Sequence, residues 1–241
     1  TGCLRHVDRI YGNHLWSGYP TGTINSKPGA MMASPDEFNI TIHGKGGHGA
    51  KPHETIDPVV VMAEFIMSAQ KIVSRTIDPV KQAVITFGMI QAGNADNVIP
   101  NSAFCRGTVR TFDTEVQSHI IERIEKLLEG LAVANDITYD LDYIRGYLPV
   151  HNHGKSYEVV KQAANDMNLR FSESELMMIG EDFSHYQKVL PGAVFLTGCG
   201  NEQKGTTYPH HSPQFDVDES SFKYAVSEFM KILELEGVIA R

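Results

Sequence analysis

Apolar and polar residues alternate in four stretches of the central part of the chain, and two stretches between them have helical spacing. The alternating stretches predict β-strands over about 37–44, 82–91, 101–111 and 137–143. Apolar residues spaced by three and four predict helices near 57–74 and 114–134. The resulting order, β-α-β-β-α-β, is typical of a ferredoxin-like domain, in which one antiparallel sheet carries both helices on one face.

Local signals predict where these two helices begin. Asp57 precedes Pro58, which fits an N-cap followed by proline at the first helical position. Thr114 and Gln117 have the spacing of a capping box, so we expect Thr114 to cap the second helix. The predicted ferredoxin-like domain spans residues 36–148.

The flanking segments, residues 1–35 and 149–241, follow a different pattern. A Gly- and Pro-rich stretch (18–34) comes before the central domain. After it we predict a helix at about 156–168, a strand at 193–196 and a last helix that begins near Asp218 and ends at Gly237. We expect four apolar residues of the last helix to lie on one face: Phe222, Val226, Phe229 and Leu233.

Helices that alternate with strands are typical of α/β domains. The elements predicted in the two flanks are too few to make a covered sheet. We therefore expect residues 1–35 and 149–241 to form part of an α/β domain, with 36–148 inserted into it and its N-terminal part absent. The fold class predicted for the whole chain is α/β.

Composition and charge narrow the possible partners. The chain has 241 residues, of which 41% are hydrophobic, and a net charge of −8. A negative chain does not fit nucleic acid or an anionic membrane surface as partner. The three cysteines, Cys3, Cys105 and Cys199, are odd in number and widely spaced. This favours a reducing compartment over a disulfide framework, and we expect a cytoplasmic protein.

Histidines and carboxylates supply the candidate chemistry. His14 lies in a short Gly-Asn-His-Leu-Trp segment, and His211 directly precedes Ser-Pro. His48 lies in a glycine-rich loop, and Glu181 is followed by a second carboxylate. Taken singly, each is more simply explained as an ordinary surface or hydrogen-bonded group.

Six motifs occur in one order and make the pattern specific: GNHLWSGYPTGTINSKPGAMMAS, GKGGHGAKPH, NVIP, RGTVRTF, IGEDFS and HSPQFDVDE. On these motifs the chain resembles the aminoacylase and carboxypeptidase superfamily of metal-dependent amidohydrolases. It is most similar to the branch with hippurate hydrolase and the indole-acetyl-amino-acid hydrolases. The resemblance covers nearly all of the chain and implies a metallopeptidase-like catalytic domain with an inserted lid and dimerisation domain.

The resemblance also implies roles for particular residues. His14 and His211 match metal ligands. His48 matches a catalytic histidine of the lid domain that reaches the partner subunit's active site and stabilises the oxyanion. Three further residues match positions that line the substrate pocket: Asn97, Arg110, which would hold a carboxylate, and Glu181. Two positions depart from the family pattern, since Gly49 and Ile179 stand where alanine and a small residue are common.

For the reaction, the resemblance implies hydrolysis of the amide bond of an N-acyl amino acid or a small peptide by a homodimer. It implies two divalent metal ions per site, and zinc, manganese, cobalt and nickel fit such ligands equally well. The family's Gly-Cys-Gly-His motif and paired-glutamate motif, which supply further ligands and the general base, are not in this sequence. We expect them upstream of the first residue.

Two other interpretations remain open at this point. The chain could serve as a non-catalytic dimerisation or binding module formed by the insert, or it could be a degenerate relative without activity. A Cys-x-His and a Glu-Glu pair in preceding sequence would favour the enzyme, and the presence of both His14 and His211 argues against degeneracy.

Overall fold

A computed structural model describes residue 2 and residues 4–240 of the chain. These residues divide into two compact units. The host unit consists of the residues up to Met32, Val150–Met177 and the residues from Glu181 onward. The insert unit consists of Ala33–Pro149 and Met178–Gly180.

The described residues form twelve strands and five α-helices. The strands are β1 Ile10–Pro20, β2 Thr23–Ser26, β3 Gly29–Met32, β4 Ser34–His43, β5 Gly47–His48, β6 Ala83–Ala92, β7 Val98–Ile99, β8 Ser102–Thr111, β9 Thr138–Ile144, β10 Val150–Asn152, β11 Arg170–Glu173 and β12 Gly192–Gly200. The helices are α1 Pro58–Thr76, α2 Thr114–Asn135, α3 Gly154–Asp166, α4 Ser184–Gln187 and α5 Ser221–Leu235.

The insert unit has the predicted ferredoxin-like arrangement. Its four-stranded sheet has the order β6-β8-β4-β9, and every neighbouring pair is antiparallel. Alternate residues of β4 and β8 point to one face and are fully buried against apolar residues of α1 and α2, which form one core cluster with them. The predicted antiparallel sheet with both helices on one face is confirmed.

The two helix starts differ in how well the sequence predicted them. Asp57 caps α1 as expected, since its side chain accepts a hydrogen bond from the Val59 N–H. The prediction that Thr114 caps α2 is wrong by one residue. Asp113 is the N-cap, because its extended backbone lets its carboxylate accept from the amides of the first turn. Gln117 bonds to the buried carboxylate of Asp36.

The host unit has a mixed sheet with the order β1-β12-β2-β11. Strand β12 is buried along its whole length and runs parallel to β1. On one face of β12, Ala193 and Phe195 pack with residues of α3 and α5 in one core cluster. On the other face, Val194 and Leu196 pack in a second cluster with residues of β3 and β10. The Gly- and Pro-rich stretch 18–34 contains the end of β1 together with β2 and β3, which are separated by short turns.

Helix α5 buries only part of the predicted face, since Phe229 packs against the core and its ring lies 5.1 Å from that of Phe195. Phe222 and Val226 are 47% and 62% exposed, whereas Ala225, Glu228 and Ile232 are buried. The spacing of large apolar residues did not reveal these buried positions, because Ala225 is small and Glu228 carries a carboxyl group.

The remaining expectations concern cysteines and membranes. Cys105 and Cys199 are buried free thiols, and Cys3 lies outside the described residues. Within the part of the chain that the structure describes, none of the helices has the length and apolarity required to cross a bilayer.

Candidate functional site

His14 lies in the middle of β1, opposite Leu196 of the parallel strand β12. Its Nδ1 is 2.6 Å from the carbonyl oxygen of Leu15. A carbonyl oxygen can only accept a hydrogen bond, so Nδ1 carries the proton in this arrangement. The lone pair of the neutral ring is therefore on Nε2, which is the form that a metal-binding histidine requires.

The ring of His210 packs directly against that of His14. Their centroids are 5.3 Å apart and the two planes are almost perpendicular, at 88°. On its other sides His210 contacts Trp16, at 4.4 Å, and Phe215, at 4.7 Å. Its Nε2 is buried and has no hydrogen-bond partner among the described residues. Burial lowers the pKa of His210, and the nearby charges of His14 and His211 lower it further.

His211, the predicted second metal ligand, is exposed and has a left-handed backbone with φ of 66°. It is His210 that makes the ring contact with His14. His211 is next to His14 in space only through its chain neighbour His210, whose ring contacts that of His14. Sequence reasoning assigned no role to His210, and the only signal that could have found it is its position next to His211.

Glu181 is half-buried in the same unit and is electrostatically linked to His14. Burial raises the pKa of its carboxyl group and a hydrogen bond with the neighbouring Asp182 raises it further, while a hydrogen bond from the Phe183 amide and the proximity of His14 lower it. A carboxyl group shifted in this way, beside a histidine, is typical of functional sites.

His48 is exposed on the short strand β5 of the insert unit. The backbone N–H of Ala50 donates to its Nδ1 over 3.0 Å. Since Nδ1 accepts, the proton of the neutral ring must be on Nε2. His48 thus presents a donor, whereas His14 presents a lone pair.

Asn97 lies beside His48, because β5 pairs with β7 and the amide of Gly49 donates to the Asn97 carbonyl over 2.8 Å. The glycines of this loop are required by the chain's own packing. A Cβ on Gly46 would lie 2.6 Å from the Ile99 carbonyl oxygen, and one on Gly49 would lie 3.0 Å from that of Asn97. The loop is therefore held closely against the 97–101 segment.

Arg110 is half-buried on β8, and its Nη1 donates to the carbonyl oxygens of Asp36 and Val109 at 3.3 and 3.2 Å. The Asp36 carboxylate is fully buried and accepts from Gln117, the Tyr143 hydroxyl and the Gly146 amide. No sequence pattern indicated that Asp36 is buried, because an acidic residue at the start of a strand is normally exposed.

The donors present fit part of a metal site. Within the described residues, no group of three or more His, Cys, Asp or Glu side chains is placed to hold a metal ion. His14 offers an unprotonated nitrogen, and the exposed His211 lies one residue from the ring that packs on it. Imidazoles of this kind suit several divalent transition metals.

Known proteins with similar sequences belong to the kinds of enzyme that the motifs suggested. Residues 36–136 match a family model described as a peptidase dimerisation domain. The chain is 40% identical to the Bacillus subtilis protein YhaA, named as an amidohydrolase, over 222 residues that cover 91% of this chain and 56% of YhaA. It is 36% identical to an N-acetyldiaminopimelate deacetylase of Enterococcus faecalis over 94% of this chain and 60% of that protein.

A solved structure extends the likeness to the fold. The crystal structure of a dinuclear metal-binding peptidase of the M20 family from Bacillus subtilis aligns with a TM-score of 0.80 and 30% identity, over 98% of this chain and 59% of that one. Residues 36–136 are thus similar to a peptidase dimerisation domain, and the chain as a whole is similar in sequence and fold to amidohydrolases and to a peptidase of the M20 family. It spans a little over half the length of the curated relatives it matches.

Proposed function

We propose that the chain is the later part of a metal-dependent amidohydrolase that releases a carboxylic acid and an amino acid from N-acyl amino acids or small peptides. The observation that carries the proposal is the opposed protonation of two histidines. His14 has its lone pair on Nε2, as a metal ligand needs, and His48 has its proton on Nε2, as an oxyanion donor needs. The names of the relatives, an amidohydrolase and a deacetylase, agree with this chemistry.

Each predicted residue has a task in this reaction. His14 and His211 would bind metal as neutral imidazoles. A bound divalent metal supplies an activated water and polarises the amide carbonyl. His48 would donate its Nε2–H to the oxyanion, and its Nδ1 is already occupied by the Ala50 amide. Asn97, which the loop packing keeps beside His48, would bind the same end of the substrate.

Two further residues would contribute to substrate binding. Arg110 would hold the substrate carboxylate through the donors that its two backbone carbonyl contacts leave available. Glu181, whose carboxyl group has a raised pKa, would line the pocket near His14. The cytoplasmic localisation and the identity of the metal stay predictions.

The test uses the longest chain that the gene encodes, with metal analysis and a panel of N-acyl amino acids. His48→Ala should lower kcat about 10²–10³-fold with metal content unchanged, because one oxyanion donor is lost. His14→Ala should lower metal content. His53→Ala, at an exposed histidine on the same loop, is the matched control. Full activity in His48→Ala, or a metal-free wild type, would contradict the proposal.

We also propose that the enzyme is a homodimer formed through the insert unit. Strand β6 is an edge strand, and Met89 and Ile90 at its end are 44% and 57% exposed. An apolar groove of about 300 Å³ lies between α1 and β6, with Met67 on its rim. The other edge strand, β9, carries Asp140 and Asp142, and charges of this kind discourage edge pairing.

Dimerisation through β6 has a direct test. Ile90→Asp should convert the protein to a monomer in analytical ultracentrifugation, whereas Ile144→Asp, an exposed residue of the opposite edge strand, should not. A dimer that survives Ile90→Asp unchanged would exclude this edge as the interface.

The dimer matters for catalysis because we expect His48 to act in the active site of the partner subunit. Mixing His48→Ala with His14→Ala would then restore part of the activity, since one site in each mixed dimer would keep both histidines. The absence of recovery in dimers shown to exchange subunits would mean that His48 works within its own chain or has no catalytic role. Normal dimers without hydrolysis of any tested amide would favour the non-catalytic module.

A further inference from the structure

His210 has no task in the reaction proposed above, yet it lies at the centre of a ring cluster. Its ring contacts those of Trp16 and Phe215 at tilts of 39° and 37° and meets the His14 ring edge to face. Trp16 also contacts His14 directly, at 5.5 Å. Since the buried Nε2 of His210 has no partner among the described residues, ring packing rather than a hydrogen bond at that atom holds it.

The orientation of His14 depends on two contacts of different kinds. A histidine side chain has two rotatable bonds, and both must be restrained for a ligand nitrogen to point in one direction. The hydrogen bond from Nδ1 to the Leu15 carbonyl restrains rotation of the ring. The rings of His210 and Trp16 lie against the imidazole and restrain the direction in which the whole side chain points.

We propose that His210 is a positioning residue for His14. Its ring, held between Trp16 and Phe215, keeps the His14 imidazole in the orientation that leaves Nε2 available to a divalent metal. This inference rests on the proposed metal-binding role of His14, and it adds a residue to which neither the motifs nor the comparisons assign a role.

The proposal requires a flat ring at position 210 and not an imidazole nitrogen. A phenyl ring has a similar shape and removes a buried nitrogen that makes no hydrogen bond, so His210→Phe should fold at least as stably as the wild type. An alanine at this position removes one of the rings that pack against the His14 imidazole. Loss of the contacts that orient a ligand typically weakens metal binding ~10–100-fold.

The experiment compares the wild-type 241-residue chain with His210→Phe, His210→Ala and His14→Ala. Thermal unfolding establishes that each variant is folded. Long-range ¹H–¹⁵N NMR then measures the tautomer of His14 without metal, and competition with a chromophoric chelator measures the affinity for Zn²⁺. We expect His14 to hold its Nδ1–H tautomer in the wild type and in His210→Phe, with Zn²⁺ affinities close to each other. In His210→Ala both tautomers should be populated and Zn²⁺ should bind ~10-fold more weakly.

Two results would overturn the inference. Wild-type tautomer and affinity in His210→Ala would show that His14 needs no such support. Equal losses in His210→Phe and His210→Ala would show that an imidazole nitrogen, rather than the ring, is required. Failure of the proposed metal site is recognised separately, because Zn²⁺ affinity would then be the same in the wild type and His14→Ala. In that case the His14 tautomer alone decides whether His210 positions it.

Discussion

Glu228 of helix α5 is fully buried, and neither of its carboxylate oxygens has a hydrogen-bond partner among the described residues. Burial raises the pKa of this carboxyl group from its ordinary 4.5 to about 8, because a charge cannot be solvated there. At neutral pH the folded protein therefore keeps Glu228 protonated, while the unfolded chain ionises it. We expect Glu228→Gln to stabilise the protein in a pH-dependent way.

The sign and the size follow from proton linkage. Between pH 4.5 and about 8 the folded state binds more protons at this site than the unfolded state, so stability falls as the pH rises through that window. Each pH unit costs about 1.4 kcal/mol, which amounts to about 3 kcal/mol at pH 7. Glutamine does not titrate, so the variant should lose this dependence and gain about that free energy of unfolding at pH 7.

Urea unfolding between pH 4 and 9 measures this effect. The difference in the free energy of unfolding between Glu228→Gln and the wild type should be small at pH 4, rise up to about pH 8 and then level off. Glu158→Gln, at an exposed glutamate of α3, is the control and should give a flat difference. A difference for Glu228→Gln that stays constant across the same range would refute the reasoning.

Two further predictions concern packing and charge. A Cβ at Gly107 would lie 2.2 Å from the Phe38 ring, so Gly107→Ala should lower the free energy of unfolding by about 1–3 kcal/mol. A Cβ at Gly88 would meet none of the described residues within 4 Å apart from its chain neighbours, so Gly88→Ala should leave the free energy of unfolding unchanged. Equal urea midpoints for the two variants would contradict this reasoning. A hydrogen bond from Lys204 is the largest of the contacts that hold the pKa of Asp218 well below its usual 3.8. The stability that these contacts provide is lost as the pH falls below about 4, because the carboxylate is then protonated. The difference in the free energy of unfolding between the wild type and Asp218→Asn should therefore narrow below that pH. A difference that stays constant would show that the contacts contribute nothing.

The sequence predicted the insert unit well because its sheet has one buried and one open face. A strand in such a sheet alternates apolar and polar residues, and β4 alternates buried and half-buried residues along its whole length. The host unit was predicted less completely. Strand β12 is buried on both faces, and β1 has no clear alternation, so neither has a period that identifies its full length.

Local sequence signals failed where two neighbouring residues were equally good helix caps, or where a residue type that is usually exposed is buried. Asp113 and Thr114 are both good caps, and only the backbone decides between them. Glu228 is buried although carboxyl groups seldom are. For the site, spacing could not show that His14 and His210 meet, because they lie at opposite ends of the chain. Only the motifs suggested His14, and His210 had no signal beyond its position next to His211.

The two ends of the insert meet in neighbouring strands. Glu37 near the start of β4 is paired with Ile144 at the end of β9. Just beyond that pair, Gly146 passes so close to Pro35 that a Cβ would lie 2.2 Å from the Pro35 carbonyl oxygen. Adjacent strands are only ~5 Å apart, so the first and last residues of an insert of more than a hundred residues lie as close together as the two ends of a tight turn. An insertion of this kind works as an interchangeable cassette. A short hairpin could replace it, or another domain with adjacent termini could be grafted in its place, while the path of the surrounding chain is kept.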